Sequence, residues 1–440
     1  MEVLDRLIGA VRRCCEGFPD PRRGDNGSYA MADFGLAAFS MFFAQSPSFL
    51  AHQRQLAAGH GRSNAHTLFG MSRIPGDSHI RRMLDPVAPD HLCPVFEDVA
   101  GELERTGGLA AFQRLGSRVL IALDGTEYHR STKIRCPHCS TRTRAGQPTE
   151  HFHTLLAATI VAPGHQHAVP LAPEFIVPQD GHDKQDCESR AVRRWLARHG
   201  PGLARLDPVY LGDDLYACQP VCEAVLAQGG HFLFTGKPSS HQTLQEYLTG
   251  IDLTERVKRG KQRLTHRYRW LCEVPLRADE KALTVNWLQI EILDAAGAVT
   301  YRNSFVTDLP VDAGSVAELA ACGRARWKIE NESFNVLKTG GYHLEHNFGH
   351  GKEHLSALLA CLNLLAFAIH TVCDLAEGAW RKARTTLGPR VRFFQSLQAL
   401  TSYLVFSSWT ELLHTLAFAR PPPSRPQAYR AKPPSRTLSP

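Results

Sequence analysis

Apolar and polar positions divide this chain into stretches of different period. From Met1 to about Gly108 the spacing is helical: Ala30 to Gln45 is apolar on most sides, Ser46-Pro47 interrupts it, and Asp77 is placed to cap a short helix from Ser78 to Leu84. Between Val119 and Phe234 short apolar runs alternate with helical ones. Val119-Leu120-Ile121-Ala122-Leu123 predicts a buried strand ending in Asp124-Gly125, Leu155 to Val161 a second, and Glu174 to Val177 a weaker third. A helix from about Cys187 to His199, a strand Val209 to Gly212 ending in Asp213-Asp214, a helix from Gln219 to Ala227 and a strand Phe232 to Phe234 follow. This order predicts an α/β domain with a mixed central sheet.

Ser239 to about Ser304 breaks that rhythm. Long strands around Leu283 to Leu293 and Val299 to Val306 flank Asp294-Ala295-Ala296-Gly297, which predicts a hairpin. Helices resume near Gly314 and continue to about Ala417, with breaks at Gly340-Gly341 and Gly388-Pro389. Within them Arg326, Glu330, Phe334 and Lys338 fall at i, i+4, i+8 and i+12 and share one slowly drifting helix face. The apolar stretch Leu355 to Ile369 is shorter than the ~20 residues needed to cross a bilayer, so it reads as a buried helix. Arg420 to Pro440, rich in proline and serine and without acids, predicts a disordered basic tail.

A length of 440 residues implies two or three domains, and a hydrophobic content of 43% is enough to give them ordered cores. The net charge of +7 permits nucleic-acid binding without requiring it. Its distribution is more informative. Arg256, Lys258, Arg259, Lys261, Arg263, Arg267 and Arg269 crowd one segment with Tyr268 and Trp270, which reads either as a DNA-backbone surface or as a charged edge strand protected from mispairing. Arg12, Arg13, Arg22, Arg23 and Arg62 in the first helical region carry the same ambiguity between DNA binding and an ordinary charged packing or dimerisation module. Glu2 and Asp5, with no long apolar run after them, do not resemble a secretory signal, so a cytoplasmic, nucleoid-associated protein without a membrane partner is expected.

Asp124 and Asp213 each follow an apolar strand, and neighbouring strands could bring them together with Glu330 from a helix packed on the sheet. Three converging carboxylates repel one another unless cations neutralise them, and hard oxygen ligands favour Mg²⁺ or Mn²⁺. Two such ions activate a water or a 3′-hydroxyl and stabilise the departing oxygen in phosphodiester displacement. The acids of Gln179 to Glu188 offer either a rival metal site with Asp124 or the acidic start common to helices. Cys136-Pro137-His138-Cys139, with His151 and His153, presents two thiols and two imidazoles, a donor set for structural Zn²⁺ or else reduced thiols in a polar loop. Tyr342 to Gly351 places aromatic and histidine residues between glycines, either to grip a flipped base or 5′ phosphate or simply to connect helices.

Three segments carry a family resemblance: Leu123-Asp124-Gly125-Thr126-Glu127-Tyr128, Leu211-Gly212-Asp213-Asp214-Leu215-Tyr216, and Arg326 to Lys338. They resemble the DDE transposases of bacterial insertion sequences, in particular the group with a Tyr-Arg-Glu-Lys signature and the related ISNCY-type enzymes, and the likeness runs from about Asp20 to His370. It implies Asp124, Asp213 and Glu330 as the catalytic metal ligands. The fallbacks are Asp214 for Asp213 and Glu332 for Glu330, although Glu332 lies ~200° further round an α-helix. The phosphate contacts implied are Arg326, Lys338 and Lys328, with Arg256, Lys258, Arg259, Lys261 and Arg263 on the basic segment. Gly323 stands where the signature has its tyrosine, whose contribution is then either absent or supplied from elsewhere, with Tyr342 as the candidate, and seven residues separate Glu330 from Lys338 where the signature has six.

The resemblance also implies an α/β, RNase H-like catalytic core with a mixed sheet, interrupted by a β-rich insertion and joined to N-terminal and C-terminal helical regions. The expected divisions are a helical DNA-binding or dimerisation domain (1–110), the first part of the core (111–238), the basic insertion (239–304), the second part of the core with the catalytic helix (305–350), a C-terminal helical region (351–419) and the tail (420–440). Expected partners are transposon terminal inverted repeats, target DNA and a second copy of the chain. An RNase H-like nuclease without strand transfer, or a non-catalytic DNA-binding protein derived from a transposase, are the competing readings.

Overall fold

In the computed structural model, which describes residues 2–23, 28–178, 187–260 and 263–418, Val119 to Leu123 are fully buried. Each contributes about 1.5–3 kcal/mol of hydrophobic stabilisation for a large side chain. They begin β2 of a mixed sheet. Its strands are β1 (Gln113–Arg114), β2 (Arg118–Ser131), β3 (Ser140–Arg142), β4 (Glu150–Val161), β5 (Val169–Pro170), β6 (Glu174–Ile176), β7 (Val209–Gly212), β8 (His231–Thr235), β9 (Thr254–Arg259), β10 (Thr265–Pro275), β11 (Thr284–Leu293) and β12 (Val299–Thr307). They form one 12-stranded sheet in the order β3-β4-β2-β7-β8-β12-β11-β10-β9, with β1 on β2 and β5 and β6 on β4. β2, β7 and β8 run parallel, while the other pairs are antiparallel. The fold class is therefore α/β with a mixed sheet.

Two features depart from the hydrophobic pattern. Asp124-Gly125 does not end β2, which continues to Ser131 because β4 supplies pairing partners along its whole length. A bulge between Glu127 and His129 lets both Tyr128 and His129 face inward, as an extra residue in one strand does. The β-rich segment is hydrogen-bonded into the main sheet, since Phe305 to Thr307 of β12 pair with Leu233 to Thr235 of β8. Its hairpin is closed as expected: Asp294 Oδ1 accepts from Ala296 and Ala298 N–H groups, and Gly297 takes φ +85°.

The helices at the two ends of the chain share a core. Helix Leu355–Ala376 packs on Met31–Phe43 and on Cys93–Arg105. Val3 N–H donates to Glu377 Oε2 at 3.0 Å, Asn64 Nδ2 donates to the Thr401 and Leu404 carbonyls at 2.7 Å, and Trp409 Nε1 donates to the Leu68 carbonyl at 2.8 Å. Leu355–Ala376 is the one helix among the described residues long and apolar enough to cross a membrane, and 89% of its apolar window is buried inside the protein. It extends beyond the predicted Ile369 because Thr371, Val372 and Cys373 are also buried. Lys261, Gln179 to Asp186 and the tail 420–440 lie outside the described residues.

Candidate active site and a second polar cluster

The pairing Ala122↔Leu211 between parallel strands β2 and β7, extended by two residues, sets Asp124 opposite Asp213. Adjacent strands thus bring together two acids 89 positions apart in the chain. Arg326 completes the arrangement, donating from Nη1 to Asp124 Oδ2 at 3.1 Å and from Nη2 to Glu330 Oε1 at 2.8 Å. Asp213 contributes to the field at both Asp124 and Arg326. Asp214 turns elsewhere: its Oδ1 accepts from Lys237 N–H at 2.6 Å and lies 3.3 Å from His241 Nε2. Geometry therefore places Asp213, not the fallback Asp214, with Asp124. Glu332 likewise points away, 3.9 Å from Lys328 Nζ.

A fourth carboxylate belongs to this centre. Glu188 opens helix Glu188–Leu203 and accepts from the Tyr216 hydroxyl at 2.9 Å. It approaches β2 only because residue 125 is glycine, since a Cβ there would lie 2.5 Å from Glu188 Oε1. Burial pushes the Asp124 carboxyl up to about 6; Arg326 opposes the rise, and Glu330, Glu188 and Asp213 add to it. Burial also raises Glu188, with Tyr216 opposing and Asp213 adding. Four carboxylates thus share one guanidinium, a charge imbalance that a divalent cation would relieve.

The segment bearing Arg326 and Glu330 is not a uniform α-helix. Ala325–Trp327 is a 3₁₀ turn, Ile329–Phe334 a π-helical turn and Asn335–Thr339 a short α-helix. Arg326 and Glu330 still meet, but the wide turn ends the shared face. Phe334 is buried, and Lys338 Nζ pairs with Glu345 at 2.8 Å. Lys328 is buried as well, its ammonium donating to the His165 carbonyl at 2.6 Å, so it presents no charge to solvent. Gly323 has a steric reason, because a Cβ there would sit 2.6–2.9 Å from the Phe305 ring. Tyr342 does not replace the tyrosine: it is buried among the C-terminal helices, with its hydroxyl 2.7 Å from His370 Nδ1 and accepting from Arg390 at 2.7 Å.

The basic segment forms the far edge of the sheet. Lys258 and Arg259 are exposed on β9, as is Arg263 before β10, whereas Arg256 donates to the Ala313 carbonyl. Arg267 binds Glu291, and Arg269 binds Glu255 at 2.9 Å. With Arg324, the β9 cations line a cleft of about 520 Å³ that contains Glu318.

The second cluster lies where the turn after β2, strand β4 and the loop before Leu355–Ala376 meet. Cys136, Cys139, His153 and His350 bring one ligand atom each within 4.8 Å of one another, so they could hold a metal ion such as zinc. His350 takes the fourth place that spacing assigned to His151. His153 faces inward from β4 opposite His129, whereas His151 pairs with Thr141 and Ser131 near the strand's start, outside the cluster. Sequence spacing could not have chosen His350, which is separated from Cys139 by 211 positions.

No protein-family profile and no curated protein sequence matches the chain.

Proposed function

We propose that the protein is a DNA transposase that cleaves at the ends of a mobile element and transfers the freed strand to target DNA. The observation carrying this reading is the alignment of Asp124 with Asp213 on neighbouring parallel strands, with Arg326 joining Asp124 to Glu330. Parallel β2-β7-β8 flanked by antiparallel β4 supports an RNase H-like core, and β9 to β12 fit a β-rich insertion. Asp124, Asp213 and Glu330 would hold two Mg²⁺, for which Mn²⁺ could substitute; when bound, such ions activate a water or 3′-hydroxyl and stabilise the departing oxygen.

The chain's own groups do the rest. The half-exposed Glu330 carboxylate, with 52% of its side chain accessible, can swing while Asp124, at 18%, stays fixed in the sheet. Arg326 holds the acids together and presents a planar donor set suited to a phosphate beside the scissile bond. Lys258, Arg259 and Arg263 contact backbone phosphates of bound DNA, and Lys338 joins them by exchanging Glu345 for phosphate. The π turn accommodates the extra residue between Glu330 and Lys338, since each such turn holds one residue more than an α turn. Two copies act together on paired element ends.

The test is incubation with Mg²⁺ and linear DNA carrying the sequences that flank the reading frame. Nicks leaving 3′-hydroxyls and joined strand-transfer products are expected from wild type and from Asp214→Ala, with none from Asp124→Ala, Asp213→Ala or Glu330→Ala. Cleavage without joining would identify a nuclease, and salt-dependent binding without cleavage a non-catalytic DNA-binding protein. Either result ends the transposase reading.

A further inference from the structure

We infer that Cys136, Cys139, His153 and His350 bind one structural Zn²⁺ that fastens the strand carrying Asp124 to the loop following Glu330. The quantitative basis is the shape of the cluster. Zinc–sulfur bonds of about 2.3 Å and zinc–nitrogen bonds of about 2.05 Å at tetrahedral angles require S···S separations of about 3.8 Å and S···N separations of about 3.6 Å. Cys136 Sγ and Cys139 Sγ are 3.9 Å apart, His153 Nε2 is 3.4 Å from each sulfur, and His350 Nε2 is 3.5 Å from Cys139 Sγ. These four edges already have the size of a zinc tetrahedron.

Local structure prepares the ligands. Cys139 N–H donates to the Cys136 carbonyl at 3.2 Å, closing the turn that brings both sulfurs to one side. Cys136 N–H donates to Cys139 Sγ at 3.3 Å, a contact that favours thiolate over thiol. Cys139, His153 and His350 are buried and Cys136 is partly buried. Two thiolates neutralise the dication, so a complete ligand shell makes this burial tolerable. The sulfurs are not joined as a disulfide. His129 lines the site from the β2 bulge, its ring 4.3 Å from that of His350, without belonging to the ligand set.

The ion would join three segments that are distant in sequence. The Cys136–Cys139 turn follows β2, His153 lies on β4, and His350 belongs to the loop between Asn335–Thr339 and Leu355–Ala376. The N-terminal helices grip the same loop: Arg81 Nε donates to the Phe348 carbonyl at 3.0 Å, and Asp85 accepts from the Lys352, Glu353 and Leu355 N–H groups. Zinc therefore closes the one side of this loop that faces the hairpin. Closing so long a loop restricts the unfolded chain as well as the folded one.

Metal analysis of the full chain tests the assignment independently of any DNA reaction. Protein produced with zinc should retain one equivalent through gel filtration, and X-ray absorption at the zinc edge should show two sulfur and two nitrogen neighbours. His350→Ala and Cys139→Ser should weaken zinc retention by at least about 100-fold, while His151→Ala leaves it unchanged. Extraction of the metal should speed hydrogen exchange in residues 343–351 and at the end of β2 without affecting Val119 to Leu123. Zinc-free wild-type protein, an absorption spectrum lacking sulfur, or full retention in His350→Ala would each overturn the proposal. Spectroscopy on the wild type decides the ligand set even where a variant fails to fold.

Discussion

The carboxylate centre, with Asp124 on β2, and the cysteine–histidine cluster, with its cysteines in the turn that follows that strand, differ as an open site differs from a more enclosed one. Asp124 and its partners are oxygen donors, one of them half exposed, held against mutual repulsion by a single arginine. The other cluster has sulfur and imidazole donors, three of its four residues are buried, and four of its edges already have the size of a zinc tetrahedron. A site that must admit DNA and exchange ions cannot be packed shut, whereas a site that only fastens segments is strongest when it is. β2 borders both, since it carries Asp124 and its bulge turns Tyr128 and His129 inward beside the second cluster.

The largest expected effect separates chemistry from stability. Asp124→Ala should lower DNA cleavage at least about 10³-fold while leaving the thermal midpoint unchanged or higher, since a buried acid among acids is removed. A fall in both, measured by cleavage assay and calorimetry on one preparation, would mean that the carboxylates are structural like the second cluster. Next, Gly323→Tyr should cost more than about 3 kcal/mol by driving a ring into Phe305. An urea midpoint equal to wild type would show room for a signature tyrosine after all.

A smaller effect is electrostatic. The folded Asp124 carboxyl, raised to about 6, lies above its ordinary value of 3.8, so the native state binds more protons than the unfolded state between these pH values. Stability contributed below pH 3.8 is therefore lost as pH rises through about 6, to a total on the order of 3 kcal/mol. Asp124→Asn should remove that dependence, and Mg²⁺ should suppress it in wild type. Denaturation curves at several pH values check both; an unchanged slope in the variant would move the titration to another group. The smallest effect concerns the sheet's far edge. Lys258→Ala with Arg259→Ala should reduce the salt dependence of DNA binding by about two counterions, and an unaltered slope would make β9 a protected edge only.

How much of this could be read from sequence follows from the range of the interactions. Val119 to Leu123 and Val209 to Gly212 declare themselves by apolar runs, and the acids after them converge because adjacent parallel strands keep their ends in step. The second half of β2 was hidden, since its polar residues become strand only through pairing with β4. Glu188 was visible as an acid beside a helix start, but its approach to Asp124 depends on the missing side chain of Gly125. Lys328 and Tyr342 carry chemistry suited to DNA and are buried, Lys328 with its ammonium on the His165 carbonyl and Tyr342 against His370, contacts between residues too far apart in the chain for periodicity to show. His350 reaches the cysteines only through the packing of the loop before Leu355.

That π turn has a consequence for reading related chains. It acts as a length buffer: the Arg326–Glu330 contact at its start is kept, and the one residue that it holds beyond an α turn is taken up within it, so the helix downstream keeps its azimuth. A search that fixes the gap between glutamate and lysine therefore imposes a constraint that the backbone itself does not. Deleting one residue from 331–333 should tighten the turn to α and leave the Lys338–Glu345 pair in place, turning an apparent departure in spacing into an adjustable element.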